Sequence, residues 1–197
     1  MELVFASNNK HKLSEISEIL NPGNFKNYKI KSLHDIGFYD EIEENGTTLE
    51  QNALIKAMTV YKASGQNCFA DDSGLFVNAL NGRPGVYSAR YAGKNCTFAQ
   101  NNEKLLGELK NEPNRKAFFK TIVALVLNGE IHYFEGKIEG NISTLPSGTT
   151  GFGYDPVFIP DGFNISFAQM TSEQKNSISH RRRALNKMTE FLNQNKV

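Results

Sequence analysis

Two long β-rich runs meet at one dipeptide. In "KAFFKTIVALVLNGEIHYFEGKIEG" (116–140), apolar, aromatic and β-branched residues run on both sides of Asn128-Gly129. Asn-Gly accepts positive φ at both central positions of a tight turn whose twist matches the strands it joins. The pattern predicts a long hairpin, and a long hairpin commits the chain to a sheet. Other elements add to it. "LVFA" (3–6) reads as a first strand, and Leu13, Ile16, Ile19 and Leu20 then recur at helical spacing. "NPG" (21–23) is a stop signal for that helix, and "YKIKSL" (28–33) alternates as a second strand. Strand, helix, strand followed by a hairpin points to an α/β chain: a mixed sheet with helices around it, the hairpin assigned to a second lobe.

The middle of the chain reads as follows. "DEIEENGTT" (40–48) is a polar loop, and Thr47-x-x-Glu50 has the form of a capping box. The helix behind it carries Leu49, Ala53, Ala57 and Val60 on its core face. "NCFA" (67–70) is a strand that ends at two acids, and "LFVNAL" (75–80) is a further strand. Residues 97–110 are helical, with Leu105, Leu106 and Leu109 apolar. "PSGTTGFGYDPVF" (146–158) is a glycine-rich loop. The last helix starts near Ser179, with Ala184, Leu185, Met188, Phe191 and Leu192 as its core stripe. There is no repeat and no linker, so residues 1–197 are expected to form a single domain of two lobes.

Composition removes several classes of function. The formal net charge is +1, so the chain as a whole does not steer toward nucleic acid or an acidic membrane. The cysteines, Cys68 and Cys96, are too few for a disulfide scaffold of this length. They are expected to be buried free thiols in a reducing compartment. The N-terminus lacks the pattern of a secretory leader, and no apolar run is long enough to cross a bilayer. The expectation is a cytoplasmic protein.

Charge placement is more informative. The N-terminus of a helix carries a partial positive charge, which disfavours cations in the first turn. Yet Lys10 and Lys12 open the first helix, and His180, Arg181, Arg182 and Arg183 open the last. Each reads either as a solvated basic face or as an anion site, where free backbone N–H groups, dipole and side chains converge on phosphate. "SNNK" (7–10) follows the first strand directly and suits either an N-cap or a phosphate-binding turn, although it is no Walker A motif. Glu43 and Glu44 precede a helix start, where they are favourable for the dipole or available to a metal. Asn52 and Lys56 are four apart and share a helix face off the apolar stripe.

"FADDSG" (69–74) places Asp71 beside Asp72 where the strand is expected to end. Asp is poor inside strands. It serves turns, and it also serves Mg2+, which prefers one or two carboxylates with phosphate and water. Residue types alone leave both readings open, and do not choose between the two acids.

These blocks together resemble the inosine triphosphate pyrophosphatase family. The resemblance runs through "VFASNNKHKLSEI" (4–16), "EENGTTLEQNALIKA" (43–57), "FADDSGLFVNALNGRPGVYSARYAG" (69–93), "GFGYDPVF" (151–158) and "EQKNSISHRRRAL" (173–185), in order along nearly the whole chain. It implies an elongated fold with a long mixed, twisted sheet, a cleft between two lobes and a homodimer. It further implies Mg2+-dependent hydrolysis of ITP, dITP and XTP to the monophosphate and pyrophosphate. By this resemblance Ser7, Asn8, Asn9, Lys10, His11 and Lys12 form the phosphate turn, with Asn9 and Lys12 its strongest contacts. Asn52 and Lys56 face the phosphates, and Ser73 touches substrate. Glu44 and Asp72 hold the metal with Asp71 as a further acid, and Asp72 accepts the proton of water. Phe152, Gly153, Tyr154 and Asp155 shape the base pocket, while Lys175, His180 and Arg181 hold the purine and its 6-oxo group. Asn8 and His11 stand where many members have glycine, and Thr150 replaces a usual glycine before "GFGYD".

Three other classes were weighed against this. A phosphoaspartate-type hydrolase wants Asp-x-Asp after the first strand, and here that strand runs into "ASNNK". A nucleic-acid module would rest on "SHRRR" alone, against a near-neutral charge. A nucleotide-binding regulator is disfavoured by the intact Asp72 and Glu44.

Overall fold

The computed structural model of the chain describes residues 1–20 and 28–195. Its elements are β1 (Glu2–Phe5), α1 (Lys10–Leu20), β2 (Lys29–Lys31), α2 (Leu49–Ser64), β3 (Cys68–Val77), α3 (Phe98–Glu108), β4 (Lys116–Leu127), β5 (Glu130–Ile142), β6 (Phe158–Pro160), α4 (Ser172–Ile178) and α5 (His180–Gln194). Among the described residues the strands form one sheet in the order β2-β1-β3-β4-β5-β6. β1 is parallel to both β2 and β3, while β5 and β6 are antiparallel, so the sheet is mixed. The hairpin turns where expected: Asn128 and Gly129 have φ of 52° and 88°. The expected stop at 21–23 lies outside the described residues.

Three expectations need correction. The strands placed at 67–70 and 75–80 merge into one strand, β3, which ends at Val77 with 78–80 a short 3-10 turn, so Asp71 and Asp72 lie inside the strand rather than at its end. Propensity yields here because both carboxylates have cationic partners. The cap of α2 is Thr48, whose hydroxyl accepts from the Gln51 N–H at 3.2 Å. Thr47 instead donates its own N–H to Gln51 Oε1 at 2.7 Å. The third correction concerns the thiols: both are free and Cys68 is buried, but Cys96 is partly exposed. Burial pushes the Cys68 thiol up to about 12.

One element, α4, went unread. Its signal was present in "TSEQ": Thr171 accepts from Gln174 N–H, and Gln174 Oε1 accepts from Thr171 N–H, a reciprocal cap.

The chain divides into two compact units. The first comprises Met1–Asp72, Thr121–Gly136 and Arg181–Val197; the second comprises Ser73–Lys120 and Lys137–His180. The divisions therefore fall inside β3, β4 and β5. The core of the first unit packs Leu3, Phe5, Phe69, Leu125, Leu185 and Met188. That of the second packs Leu75, Leu105, Phe119, Phe158 and Phe167. Each fully buried side chain of this kind contributes about 1.5–3 kcal/mol. No helix among the described residues is long and apolar enough to cross a membrane.

Candidate active site

In the first unit, the turn after β1 is built by Asn9. Its Oδ1 accepts from the N–H groups of His11 at 3.0 Å and Lys12 at 3.3 Å, which makes Asn9 the cap of α1. Ser7 is buried and its hydroxyl accepts from the Asn9 N–H at 3.2 Å. Asn8, Lys10 and His11 are exposed. Lys12 turns inward, with its ammonium 3.2 Å from Asp71 Oδ1 and 3.1 Å from the Asp71 carbonyl oxygen.

Asp71 is fully buried and also receives Arg181, whose Nε lies 3.0 Å from Oδ2. The Arg181 guanidinium is itself buried and pairs through Nη1 with Glu15 on α1. Asp72 faces a different set. Asn52 Nδ2 donates to its Oδ2 at 3.2 Å, and Lys56 Nζ stands 3.6 Å from Oδ1 and 2.7 Å from Glu44 Oε2. Asn52 is held in turn by the Gly46 N–H at 2.8 Å. A Cβ at Gly46 would lie 2.7 Å from Asn52 Oδ1, so only glycine fits. Ser73 is the next residue along β3 and is partly buried.

The two acids are thus driven apart electrostatically. Burial would raise Asp71, but Lys12 and Arg181 outweigh it and hold its carboxyl far below the usual range. Asp72 is raised, by burial first and by the Glu44 charge, with Lys56 and Lys12 offsetting only part. Burial works to lower Lys56, but Asp72, Glu44 and Asp71 overcome it and its pKa rises. Lys12 goes the other way, since its desolvation exceeds the help from Asp71. Paired groups with opposed shifts are how acid and base roles are separated. Asp71 is held as an anion between two cations, and Asp72 is the neighbour whose protonated form burial favours.

The basic cluster of α5 is distributed rather than displayed. Arg181 is consumed by Asp71 and Glu15, and Arg182 Nη1 donates to the Ile19 carbonyl at 3.1 Å near the end of α1. Of the cations at the two helix starts, Lys12 and Arg181 therefore have carboxylates of this chain as partners. Sequence reading missed Glu15, although its spacing of three from Lys12 on α1 was a usable signal.

In the second unit, the loop 151–155 closes on Asp155. Its Oδ2 accepts from the Phe152 N–H at 2.8 Å and from Lys175 Nζ at 2.6 Å, with both side chains buried. Lys175 also lies over the Phe152 ring, 4.9 Å from its centroid. Gly151 has φ of 76°, and a Cβ there would stand 2.1 Å from Asp155 Oδ2. Thr150 donates its hydroxyl to the Ala168 carbonyl at 2.8 Å. Tyr154 is in the core, 4% exposed, its hydroxyl donating to the Ser88 carbonyl at 2.9 Å. His180 is buried and stacks on Phe119 with centroids 4.7 Å apart. Phe152, Asp155 and Lys175 are therefore brought together, whereas Tyr154 and His180 are built into the packing of the unit.

Among the described residues, no group of three or more His, Cys, Asp or Glu side chains is arranged to hold a metal. Glu44 and Asp72, both against Lys56, are a pair of carboxylates in a position that already holds a cation.

The chain resembles known proteins over nearly its whole length. A family model described as the Ham1 family matches residues 3–191. The dITP/XTP pyrophosphatase of Porphyromonas gingivalis is 50% identical over 192 residues, 97% of each chain. That of Flavobacterium psychrophilum is 48% identical over 191 residues, covering 97% of this chain and 98% of its own. The Ham1 protein of Staphylococcus aureus superposes with a TM-score of 0.88 at 40% identity, over 99% of this chain and 100% of that one. The HAM1 protein of Coxiella burnetii gives 0.89 at 38% identity, over 98% and 99%. With the match running from the first strand into the last helix, the chain belongs to the Ham1 family.

Proposed function

We propose that the chain hydrolyses ITP, dITP and XTP to the monophosphate and pyrophosphate, removing non-standard purines from the nucleotide pool. The observation that carries the reaction is the opposed pair at 71–72: a locked anion beside an acid raised by burial, with Lys56 and Asn52 on that acid. The names of the relatives support the substrate class.

The chemistry follows from these residues. The turn Ser7–Lys12 sits at the positive dipole end of α1, which favours phosphate there, with Asn9 capping the His11 and Lys12 N–H groups. Lys12 and Lys56 add charge, and preorganised charge of this kind is what phosphoryl transfer needs. Asp72, oriented by Asn52, takes the proton of the attacking water. Glu44 and Asp72 would hold Mg2+; their oxygens suit it, with phosphate and water completing the shell. Bound Mg2+ neutralises phosphate charge and acidifies water. Asp71 is left out of the metal set, since Lys12 and Arg181 hold it.

In the second unit, Phe152 offers a face for a purine and Lys175 a donor for its 6-oxo oxygen. Adenine presents an amino group to that donor, and an unpaired buried polar group costs about 1–3 kcal/mol, or roughly 5- to 150-fold. Homodimerisation and a cytoplasmic location belong to the same reading by family resemblance, and light scattering of the purified chain checks the first.

The test is pyrophosphate release from ITP, XTP, GTP and ATP with Mg2+, for the wild type and Asp72→Asn. Pyrophosphate from ITP and XTP well above ATP, lost in the variant, is the expected result. Orthophosphate as product would overturn the reaction, and equal rates on ATP and ITP would overturn the base selection.

A further inference from the structure

Asn102 lies on α3 and is not among the residues assigned to the reaction. It is 6% exposed, and its Nδ2 donates to the Gly153 carbonyl at 3.0 Å. Its Oδ1 is buried and meets no donor among the described residues. Leaving a buried acceptor unpaired carries a penalty that an apolar side chain of the same size would avoid. Stability of the second unit alone therefore does not account for an amide at 102. What the amide does accomplish is one contact, and that contact is with the loop 151–155.

This loop depends on two glycines for its shape. Gly151 and Gly153 have φ of 76° and 64°, conformations open to glycine at little cost, and they flank Phe152 on both sides. Asp155 anchors the Phe152 N–H. Nothing in that anchor sets the carbonyl of Gly153, and Asn102 does so. One turn earlier on the same face of α3, the Phe98 ring sits 6.2 Å from the Phe152 ring, centroid to centroid. α3 itself is firmly placed by the reciprocal cap between Thr97 and Gln100 and by the buried Leu105. A cavity of about 660 Å³ lies between α3 and the loop, bordered by Phe98, Asn102, Leu106, Leu145, Phe152 and Gly153 among others.

We infer that Asn102, with Phe98 beside it, is a positioning residue for purine selection: it fixes the Gly153 carbonyl and with it the face that Phe152 offers to the base. The inference rests on the assignment of this loop to the purine.

Asn102→Leu is the test, with Asn102→Asp as a second variant that keeps the size and loses the donor. Amide hydrogen exchange at residues 152–155 is expected to quicken about five-fold, the worth of one net hydrogen bond. The thermal midpoint of the Leu variant is expected to hold or rise, because the unpaired oxygen is gone. KM for ITP is expected to rise by about the same five-fold factor with kcat nearly unchanged, and the preference for ITP over ATP to fall with it. Inhibition by inorganic tripolyphosphate, which has no base, is expected to stay at the wild-type level. A lowered midpoint with unchanged exchange in the loop would overturn the inference, as would equal losses on ITP and ATP. A wild type that releases no pyrophosphate from any purine nucleotide refutes the assigned reaction instead, and the exchange measurement still decides what Asn102 does.

Discussion

Adjacent residues on a strand point to opposite faces, and at Asp71 and Asp72 that alternation gives the two carboxylates different partners: Lys12 and Arg181 for one, Asn52 and Lys56 for the other. Asp71→Asn leaves Lys12 and half of Arg181 without a counter-ion. Breaking a buried pair from one side costs about 3–5 kcal/mol, and a urea melt at neutral pH is expected to show a loss of that size. Asp72→Asn is expected to do the reverse. It removes a charge that burial disfavours, so stability holds or improves, while pyrophosphate release falls by roughly 10²–10⁴-fold, the usual worth of a general base. Gly151→Ala tests the second unit at the same scale. The added Cβ meets Asp155 Oδ2, which anchors both the Phe152 N–H and the buried Lys175 ammonium, so KM for ITP is expected to rise and the midpoint of unfolding to fall together. Asn52, Lys56 and Glu44, singled out from residue types, do gather around Asp72. Residue types did not predict that Arg181 turns to Asp71 and Glu15, because Glu15 and Arg181 are paired across 166 residues of sequence.

The elements were legible wherever a local signal specified them. Asn128-Gly129 located the hairpin, and the apolar period of 97–110 located α3. Errors came where two local signals competed. Thr47 and Thr48 are adjacent hydroxyls before one helix, and the register of the cap depends on which of them Gln51 reaches. Thr48→Ala is expected to cost about 1 kcal/mol in a urea melt, as the loss of an N-cap does. Thr47→Ala is expected to cost less, because its backbone N–H keeps Gln51 Oε1. β3 was read as two strands because Asp-Asp-Ser-Gly is turn chemistry in isolation. Inside the fold the carboxylates are neutralised by lysine and arginine, and the strand continues through them.

At the scale of the whole molecule, the buried ion pairs make stability depend on pH in a defined direction. Asp71 has a folded pKa far below its unfolded one, so its contribution is complete above the ordinary carboxylate range. That contribution is lost as pH falls through that range toward the folded value. Asp72 is raised, so its ionisation opposes folding at neutral pH and ceases to do so once it is protonated. The gap in thermal midpoint between wild type and Asp71→Asn is therefore expected to be full at pH 7 and to narrow steadily on acidification below about pH 4. The gain from Asp72→Asn is expected to vanish at a higher pH than that, on the same series of melts. Taken by itself, the sequence determined the α/β class, the long hairpin, the capped helices and the set of acids, bases and amides from which the site is made. Each of these follows from interactions over a few residues, or from the order of motifs along the chain. Only the tertiary structure decided which carboxylate is locked between Lys12 and Arg181 and which faces Asn52 and Lys56, and that Tyr154 belongs to the core while His180 is buried against Phe119. It also decided that α3 reaches the loop 151–155 through Asn102. Charge and burial at a point depend on every element packed around it, and spacing along the chain does not carry that information.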